Sequence, residues 1–311
     1  MKHSIMLLAY GEMAPFAYRS LRSDFNIKTI ITPPQPESEL LLVEHLSKKD
    51  HVQIIRTNSN TKIEQQVKKI KPDAVIICSY NKILPASLLK LTKCVNVHHG
   101  DLPRWRGRAN LNWAIITGRS TVGVTIHEAI PDLDAGSIYV QKKIVISRDE
   151  TIATLYEKVN RFVEKNLSKV TKKVLAGFAG KPQKGKSTYC CTRLPEDGYI
   201  DWNQPSLQID RLIRALTKPF PGAFTFYKDR KLLIWNSEIP KKPRMYEGRI
   251  SGRVICFHKN IGVEVLTKDS SIIIKEVTYG NTTTTADKII TTVKTSLGIN
   301  WIKLHEKLTT V

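Results

Sequence analysis

The chain has 311 residues, with 49 Lys and Arg against 28 Asp and Glu, for a formal net charge of +21. Apolar residues make up 41% and charged residues 25%, a globular composition that excludes bulk disorder and fibrous repeats. The length suits one large domain or two smaller ones, each able to bury a core. Apolar runs such as Ile5 to Tyr10 are far short of the roughly 20 residues a membrane helix needs, so no membrane span is expected. MKHSIMLLAYGEM reads as a first strand, not as a signal peptide.

Strands are expected at Ser4–Ala9, Ile27–Thr32, Val52–Arg56, Ala74–Ser79 and Cys94–His98, separated by helices at Pro15–Leu21, Ser38–Ser47, Lys62–Ile70 and Ala86–Leu91. Short apolar runs alternating with helices point to a parallel sheet covered on both faces, a Rossmann-like, doubly wound α/β fold. Two further strands follow, Gly123–Ala129 and Ile138–Ile146. Then comes a long amphipathic helix over Thr151–Leu175 with Asp149 as its expected N-cap. From residue 177 the chain is rich in Gly, Pro and Lys without a period and reads as a linker. A helix at Leu207–Leu216 and short strands at Ala223–Tyr227, Leu232–Glu238, Gly248–Phe257, Gly262–Thr267 and Ser271–Val277 suggest a small OB-like β-barrel. The expected domains are 1–180, a linker over 181–205, and 206–311.

The five cysteines, Cys78, Cys94, Cys190, Cys191 and Cys256, are odd in number and form no Cys-x-x-Cys pair, so reduced thiols in a cytoplasmic protein are expected, without a zinc ribbon. The excess positive charge is spread out: residues 151–190 carry nine Lys or Arg against two Glu. It reads either as a solvated Lys-rich surface or as a footprint for polyanions.

No G-x-G-x-x-G occurs, and G-x-S-x-G and His-Glu-x-x-His are absent. The adjacent His98 and His99 face opposite sides of a strand and cannot chelate one ion together, so no catalytic metal is expected. The informative stretch is 94–137. Asn96 and His98 are two apart and share a strand face, where the carboxyl end of a parallel strand meets Gly100 and Pro103. Asp132 and Asp134 lie in a later loop that runs into Gly136. An amide, an imidazole and a carboxylate suit acyl transfer to an amine. The amide donates to a developing oxyanion, the imidazole manages a proton, and the carboxylate orients the imidazole and raises its pKa. On spacing alone, a hydrogen-bonded core histidine and a turn aspartate are the simpler reading.

Asn96-Val97-His98, Leu102-Pro103-Arg104-Trp105-Arg106-Gly107 and Leu133-Asp134-Ala135-Gly136 together resemble the 10-formyltetrahydrofolate-dependent formyltransferase family. Pro195-Glu196-Asp197-Gly198-Tyr199-Ile200-Asp201-Trp202 and Pro219-Phe220-Pro221-Gly222-Ala223 resemble that family's second half, so the likeness spans nearly the whole chain. The resemblance implies N10-formyltetrahydrofolate as formyl donor, with no metal. It implies Asn96 as oxyanion donor, His98 as acid/base and Asp134 as the residue that orients His98. The pterin would lie against Lys82, Ile83 and Leu84 and against Ile130, Pro131, Asp132 and Leu133, largely through backbone groups, with Arg108 nearby.

Arg106-Gly107-Arg108-Ala109-Asn110-Leu111-Asn112-Trp113 is similar to the enzymes that formylate nucleotide-linked amino sugars, including the aminoarabinose-pathway transformylase. The short, acidic stretch Thr32-Pro33-Pro34-Gln35-Pro36-Glu37-Ser38-Glu39 is a poor phosphate clamp, which also favours a sugar acceptor over tRNA. Lys82 is the expected contact for the sugar nucleotide's diphosphate. Methionyl-tRNA formyltransferase is the alternative, and the charge of +21 leans toward it. A formyl-folate hydrolase and a non-catalytic RNA-binding module are the other rivals, and a homodimer would be unsurprising. The chain departs from the family pattern at His99-Gly100, where Gly-Ser is frequent, and at Asn110, where proline is usual.

Overall fold

The computed structural model describes residues 2–34, 45, 47–80 and 82–309. It divides into two units: residues 1–111, 120–146 and 154–192 in the first, and 112–119, 147–153 and 193–311 in the second.

In the first unit the apolar runs form a seven-stranded sheet, β1 (Ser4–Ala9), β2 (Asn26–Thr32), β3 (Gln53–Arg56), β4 (Ala74–Cys78), β5 (Lys93–His98), β7 (Thr121–Glu128) and β8 (Ile138–Val145). Their spatial order is β3-β2-β1-β4-β5-β7-β8; β6 (Arg106–Gly107) stands outside this sheet. The five strands from β3 to β5 are parallel, and β7 and β8 each run antiparallel to the neighbour before them. The strands of the parallel part read as near-continuous apolar runs because both faces are covered. Ile5, Leu7, Ile76, Val95 and Val97 point into one core with Ala17 and Leu21 of α1 (Ala14–Leu21). Met6, Leu8, Val75 and Ile77 point into another with Ile63 and Val67 of α2 (Asn60–Ile70). Ser59 caps α2 by accepting from the Lys62 N–H at 3.3 Å.

The next helices are the short α3 (Ala86–Leu89), then α4 (Asn110–Ile116), which the sequence reading missed. The long helix is α5 (Ile152–Leu175), and its Val163, Leu167, Val170 and Val174 join the first core. That start makes Thr151, not Asp149, the N-cap position. The helix expected over Ser38–Ser47, like most of the acidic stretch before it, lies for the most part outside the described residues. Among the described residues no helix is long and apolar enough to cross a membrane.

Within residues 177–192, where no periodicity shows in the sequence, β9 (Tyr189–Cys190) pairs in parallel with β6.

The second unit is built on α6 (Ser206–Leu216) and antiparallel strands, matching the smaller β domain expected. Two of the expected strands each split between two sheets. Leu232–Glu238 becomes β11 (Arg230–Ile234) and β12 (Ser237–Glu238); Ser271–Val277 becomes β15 (Ser271–Ile274) and β16 (Glu276–Tyr279). One sheet is β10-β11-β16-β17, with β10 at Ala223–Tyr227 and β17 at Thr282–Thr285. The other is β12-β15-β14-β13, with β13 at Val254–His258 and β14 at Gly262–Leu266. Strands that bend from one sheet into the next make the corners of such small β folds. Their inward residues, among them Leu232, Ile234, Val263, Val265 and Ile274, share one core with Ile209 and Ile213 of α6.

Candidate active site

Two residues apart on a strand means one face, and pairing carries that face to the next strand. Asn96 of β5 stands opposite His127 of β7, His98 opposite Thr125, and Thr125 opposite Gln141 of β8. One face of the sheet therefore carries a polar stripe, while Val95, Val97, Val124 and Ile126 on the other face are core. Thr125 and Gln141 anchor the loop that leaves β5. The Thr125 hydroxyl donates to the Gly100 carbonyl at 2.7 Å, and Gln141 Nε2 donates to the Leu102 carbonyl at 2.9 Å.

The loop between β7 and β8 folds back over this stripe. Asp134, held in the left-handed region at φ 49°, reaches three of its members. Its Oδ1 accepts from Asn96 Nδ2 at 3.3 Å and lies 3.5 Å from His127 Nε2. Its Oδ2 lies 3.5 Å from His98 Nδ1 and accepts the Gly107 N–H at 2.9 Å. Gly107 sits at φ 92°, and a Cβ there would meet the Cys190 carbonyl at 2.7 Å, so only glycine presents this donor. The three side chains are enclosed: His98 is 7% exposed, His127 2% and Asp134 8%.

The segment carrying β9 straps the arrangement down. Gln183 Nε2 donates to the Asp134 carbonyl at 2.7 Å and the Gly136 carbonyl at 2.9 Å, while its Oε1 accepts from Arg106 Nη2 at 2.9 Å. Thr188 accepts the Trp105 N–H on its hydroxyl and the Arg106 N–H on its carbonyl.

Both ring nitrogens of His98 face acceptors. Nε2 lies 2.7 Å from the Trp105 carbonyl, which also accepts from Asn110 Nδ2, and Nδ1 faces the Asp134 carboxylate. Burial nevertheless dominates and lowers the His98 pKa below 6.5, with His127 and Arg106 acting the same way. Asp134 and the Trp105 carbonyl pull upward, but not enough. The expectation that Asp134 raises the imidazole pKa thus holds for its own influence and fails for the net shift, because removing the ring from water outweighs it. Asp134 itself would be raised by burial, but His127, His98 and the Gly107 N–H together hold it at about 2. At neutral pH the pair is a neutral imidazole beside a carboxylate.

The departures from the family pattern have local explanations. A Cβ at Gly100 would stand 2.2 Å from His98 Nε2, so the imidazole occupies the space a side chain at 100 would need. Asn110 begins α4, a first-turn position that also suits proline, and uses its amide on Trp105. His99 is half-buried with its ring edge-on to Tyr156 at 5.5 Å, and loss of water around the ring drives its pKa to about 3.

Asn96, His98 and Asp134 thus come together. The other predicted residues lie on two loops and beside β6. Lys82 and Ile83 are exposed after β4, Ile83 at 62%, and the Ile83 carbonyl accepts from Asn60 Nδ2 at 3.1 Å. The Leu84 side chain is buried in the second core, leaving only its backbone to a ligand. Ile130 is half-buried; Pro131, Asp132 and Leu133 are exposed, Leu133 at 40%. Arg108 is exposed next to Gly107. Sequence reasoning missed His127, Gln183 and Thr188. His127 becomes visible only once β7 is paired antiparallel to β5, and Gln183 lies in a stretch with no period to read.

A family model described as formyl transferase matches residues 38–171, and one described as formyl transferase, C-terminal domain, matches residues 194–294. Methionyl-tRNA formyltransferase of Caldanaerobacter subterraneus subsp. tengcongensis is 32% identical over 249 residues, covering 76% of this chain and 80% of that protein. The bifunctional polymyxin resistance protein ArnA of Wigglesworthia glossinidia brevipalpis is 35% identical over 246 residues, covering 76% of this chain but 38% of that protein. Among solved structures, HypX from Aquifex aeolicus in complex with tetrahydrofolic acid superposes with a TM-score of 0.68 at 18% identity. That match covers 94% of this chain, which spans about half of HypX, 48% of its length. The chain belongs to the formyl transferase family, enzymes that take a formyl group from 10-formyltetrahydrofolate.

Proposed function

We propose that this chain transfers the formyl group of N10-formyltetrahydrofolate to the primary amine of a nucleotide-linked amino sugar in the cytoplasm, with Asn96, His98 and Asp134 carrying out the chemistry. The observation that carries the reading is the single enclosed carboxylate, Asp134, set 3.3 Å from the Asn96 amide and 3.5 Å from the His98 imidazole.

The neutral amine adds its lone pair to the formyl carbon, and the carbonyl electrons move to oxygen. The nitrogen, now an ammonium, gives a proton to His98. Burial keeps that imidazole neutral and ready to accept, and Asp134 Oδ2 and the Trp105 carbonyl already face its two nitrogens. The oxyanion takes a hydrogen bond from Asn96 Nδ2. One hydrogen of that amide is held by His127 Nε2 at 3.0 Å. His127 can accept there because its Nδ1 faces the Glu128 carbonyl at 2.6 Å and must carry the proton. The longer, 3.3 Å bond to Asp134 is the one exchanged for the oxyanion. Collapse of the intermediate breaks the carbon–N10 bond as the proton passes from His98 to N10, giving tetrahydrofolate and the formamide. Exposed Ile83 and Leu133 offer apolar surface to the flat pterin, and backbone groups of residues 82–84 and 130–133 offer its hydrogen-bond partners.

The choice of a sugar acceptor rests on the stretch from Arg106 to Trp113, with exposed Arg108 and Lys82 as anion contacts. A tRNA acceptor is the second reading, favoured by the charge of +21. One competition assay separates them. The protein is mixed with the formyl donor, a panel of UDP-, dTDP- and GDP-linked amino sugars, and charged initiator tRNA, and mass spectrometry shows which acceptor gains a formyl group. A formylated sugar nucleotide supports the proposal and names the substrate. Formylated methionyl-tRNA alone, or folate released without any acceptor, overturns it.

A further inference from the structure

The second unit holds a group of side chains that formyl transfer does not use. Cys256 and His258 are two apart on β13 and so share a face, and Glu264 on β14 stands directly opposite Cys256. Their ligand atoms, one from each residue, all lie within 4.8 Å of one another. We propose that Cys256, His258 and Glu264 form a binding site for a divalent transition metal, zinc foremost.

The geometry goes most of the way already. In a tetrahedral zinc site with bonds of about 2.0 Å to nitrogen and oxygen and about 2.3 Å to sulfur, the nitrogen and oxygen stand about 3.3 Å apart and the sulfur about 3.5 Å from each. His258 Nε2 and Glu264 Oε2 are 3.0 Å apart. With the ligand atoms within 4.8 Å of one another, the sulfur has to close by at most about 1.3 Å, within reach of a side-chain rotation. Its contact with the Phe257 carbonyl, at 3.6 Å, is weak. Glu264 is 7% exposed, and its other oxygen accepts the hydroxyl of the fully buried Ser271 at 2.6 Å. A ligating carboxylate is commonly oriented in this way by a hydrogen bond from outside the metal's own shell. Cys256 and His258 are only half-buried, which leaves an approach for the ion and for a water as fourth ligand. Thiolate, imidazole and carboxylate together select zinc-like ions over magnesium or calcium, and binding expels the thiol proton. Without a metal, the same residues would be a Ser–Glu–His hydrogen-bonded set with Cys256 a bystander, so the sulfur decides between the two.

The test is a Co²⁺ titration of the full, reduced, chelator-stripped protein. One equivalent should bind with a near-ultraviolet sulfur-to-cobalt charge-transfer band and the intense visible bands of a tetrahedral ion, both erased by one equivalent of Zn²⁺. Cys256→Ser should lose the charge-transfer band, and His258→Ala should weaken binding at least 10-fold. Should Cys256→Ser fold poorly, the wild-type protein gives the same answer: Zn²⁺ should protect Cys256 from alkylation, read by mass spectrometry. No charge-transfer band, a band that survives Cys256→Ser, or a Cys256 alkylated equally fast with and without Zn²⁺ overturns the proposal.

Discussion

Replacing His99 with Phe should remove a pH-sensitive weakness from the first unit. His99 is half-buried, but its ring Nε2 is shut off from solvent with no hydrogen-bond partner among the described residues, and its pKa falls from 6.5 to about 3, through burial first and the neighbouring His98 second. A histidine depressed in this way contributes stability that is fully present above 6.5 and lost as the pH falls toward about 3, because the unfolded chain takes up a proton that the folded one refuses. At about pH 5 the unfolded state gains roughly 1.5 pH units' worth of protonation, about 2 kcal/mol at 1.36 kcal/mol per unit. Phe keeps the edge-on contact with Tyr156 and has nothing to titrate. Hydrogen exchange of the α5 amides around Val159 and Val163 reports the unit that contains His99, and should be measured at about pH 7 and about pH 5 in both proteins. The wild type should lose about 2 kcal/mol more than His99→Phe over that interval. Equal losses would show that the folded protein protonates His99 freely, and the burial argument would fail.

At the site itself, His98→Ala and Asp134→Ala should each lower kcat by roughly 10²-fold or more in single-turnover assays, the scale of a lost acid–base group; near-wild-type turnover in either removes the assigned role. Asn96→Ala should raise the barrier by about 3 kcal/mol, as for a single oxyanion donor, and retained turnover would mean that another donor serves. The acid limb of the pH–rate profile should fall below 6.5, where buried His98 becomes protonated, and Asp134→Asn should shift it lower still, since the carboxylate pulls the imidazole pKa upward; a shift to higher pH would contradict that assignment. Gln183→Ala removes two donors from the loop that carries Asp134 and should lower kcat about 10-fold with the acceptor KM unchanged, on the scale of one or two hydrogen bonds; a change in KM alone would show that Gln183 does not position Asp134.

Local pattern determined a good deal of this protein. The strand Ser4–Ala9 has the bounds expected of it, and β2, β4 and β5 differ from expectation by a residue, because strands covered on both faces are apolar throughout and end where Gly, Pro and polar residues begin. Asn96 and His98 share a face because the strand period is two, and the long helix was visible in its spacing of Val163, Leu167, Val170 and Val174. Asp134 was found through the resemblance of ordered motifs, not through spacing.

The tertiary structure decided what depends on residues far apart in the chain. Antiparallel pairing of β7 with β5 brings His127, 31 residues away, to Asn96. The strap, an aperiodic segment, brings Gln183 to the Asp134 carbonyl 49 residues away. Register in the β unit sets Glu264 opposite Cys256, and bends between its sheets divide runs that look like single strands. The direction of the His98 shift belongs here too. A neighbouring carboxylate can be inferred from a motif, but how far water is excluded from a ring is a property of everything packed around it. Periodicity records which way a side chain points; pairing, burial and hydrogen bonding are settled only when the segments meet.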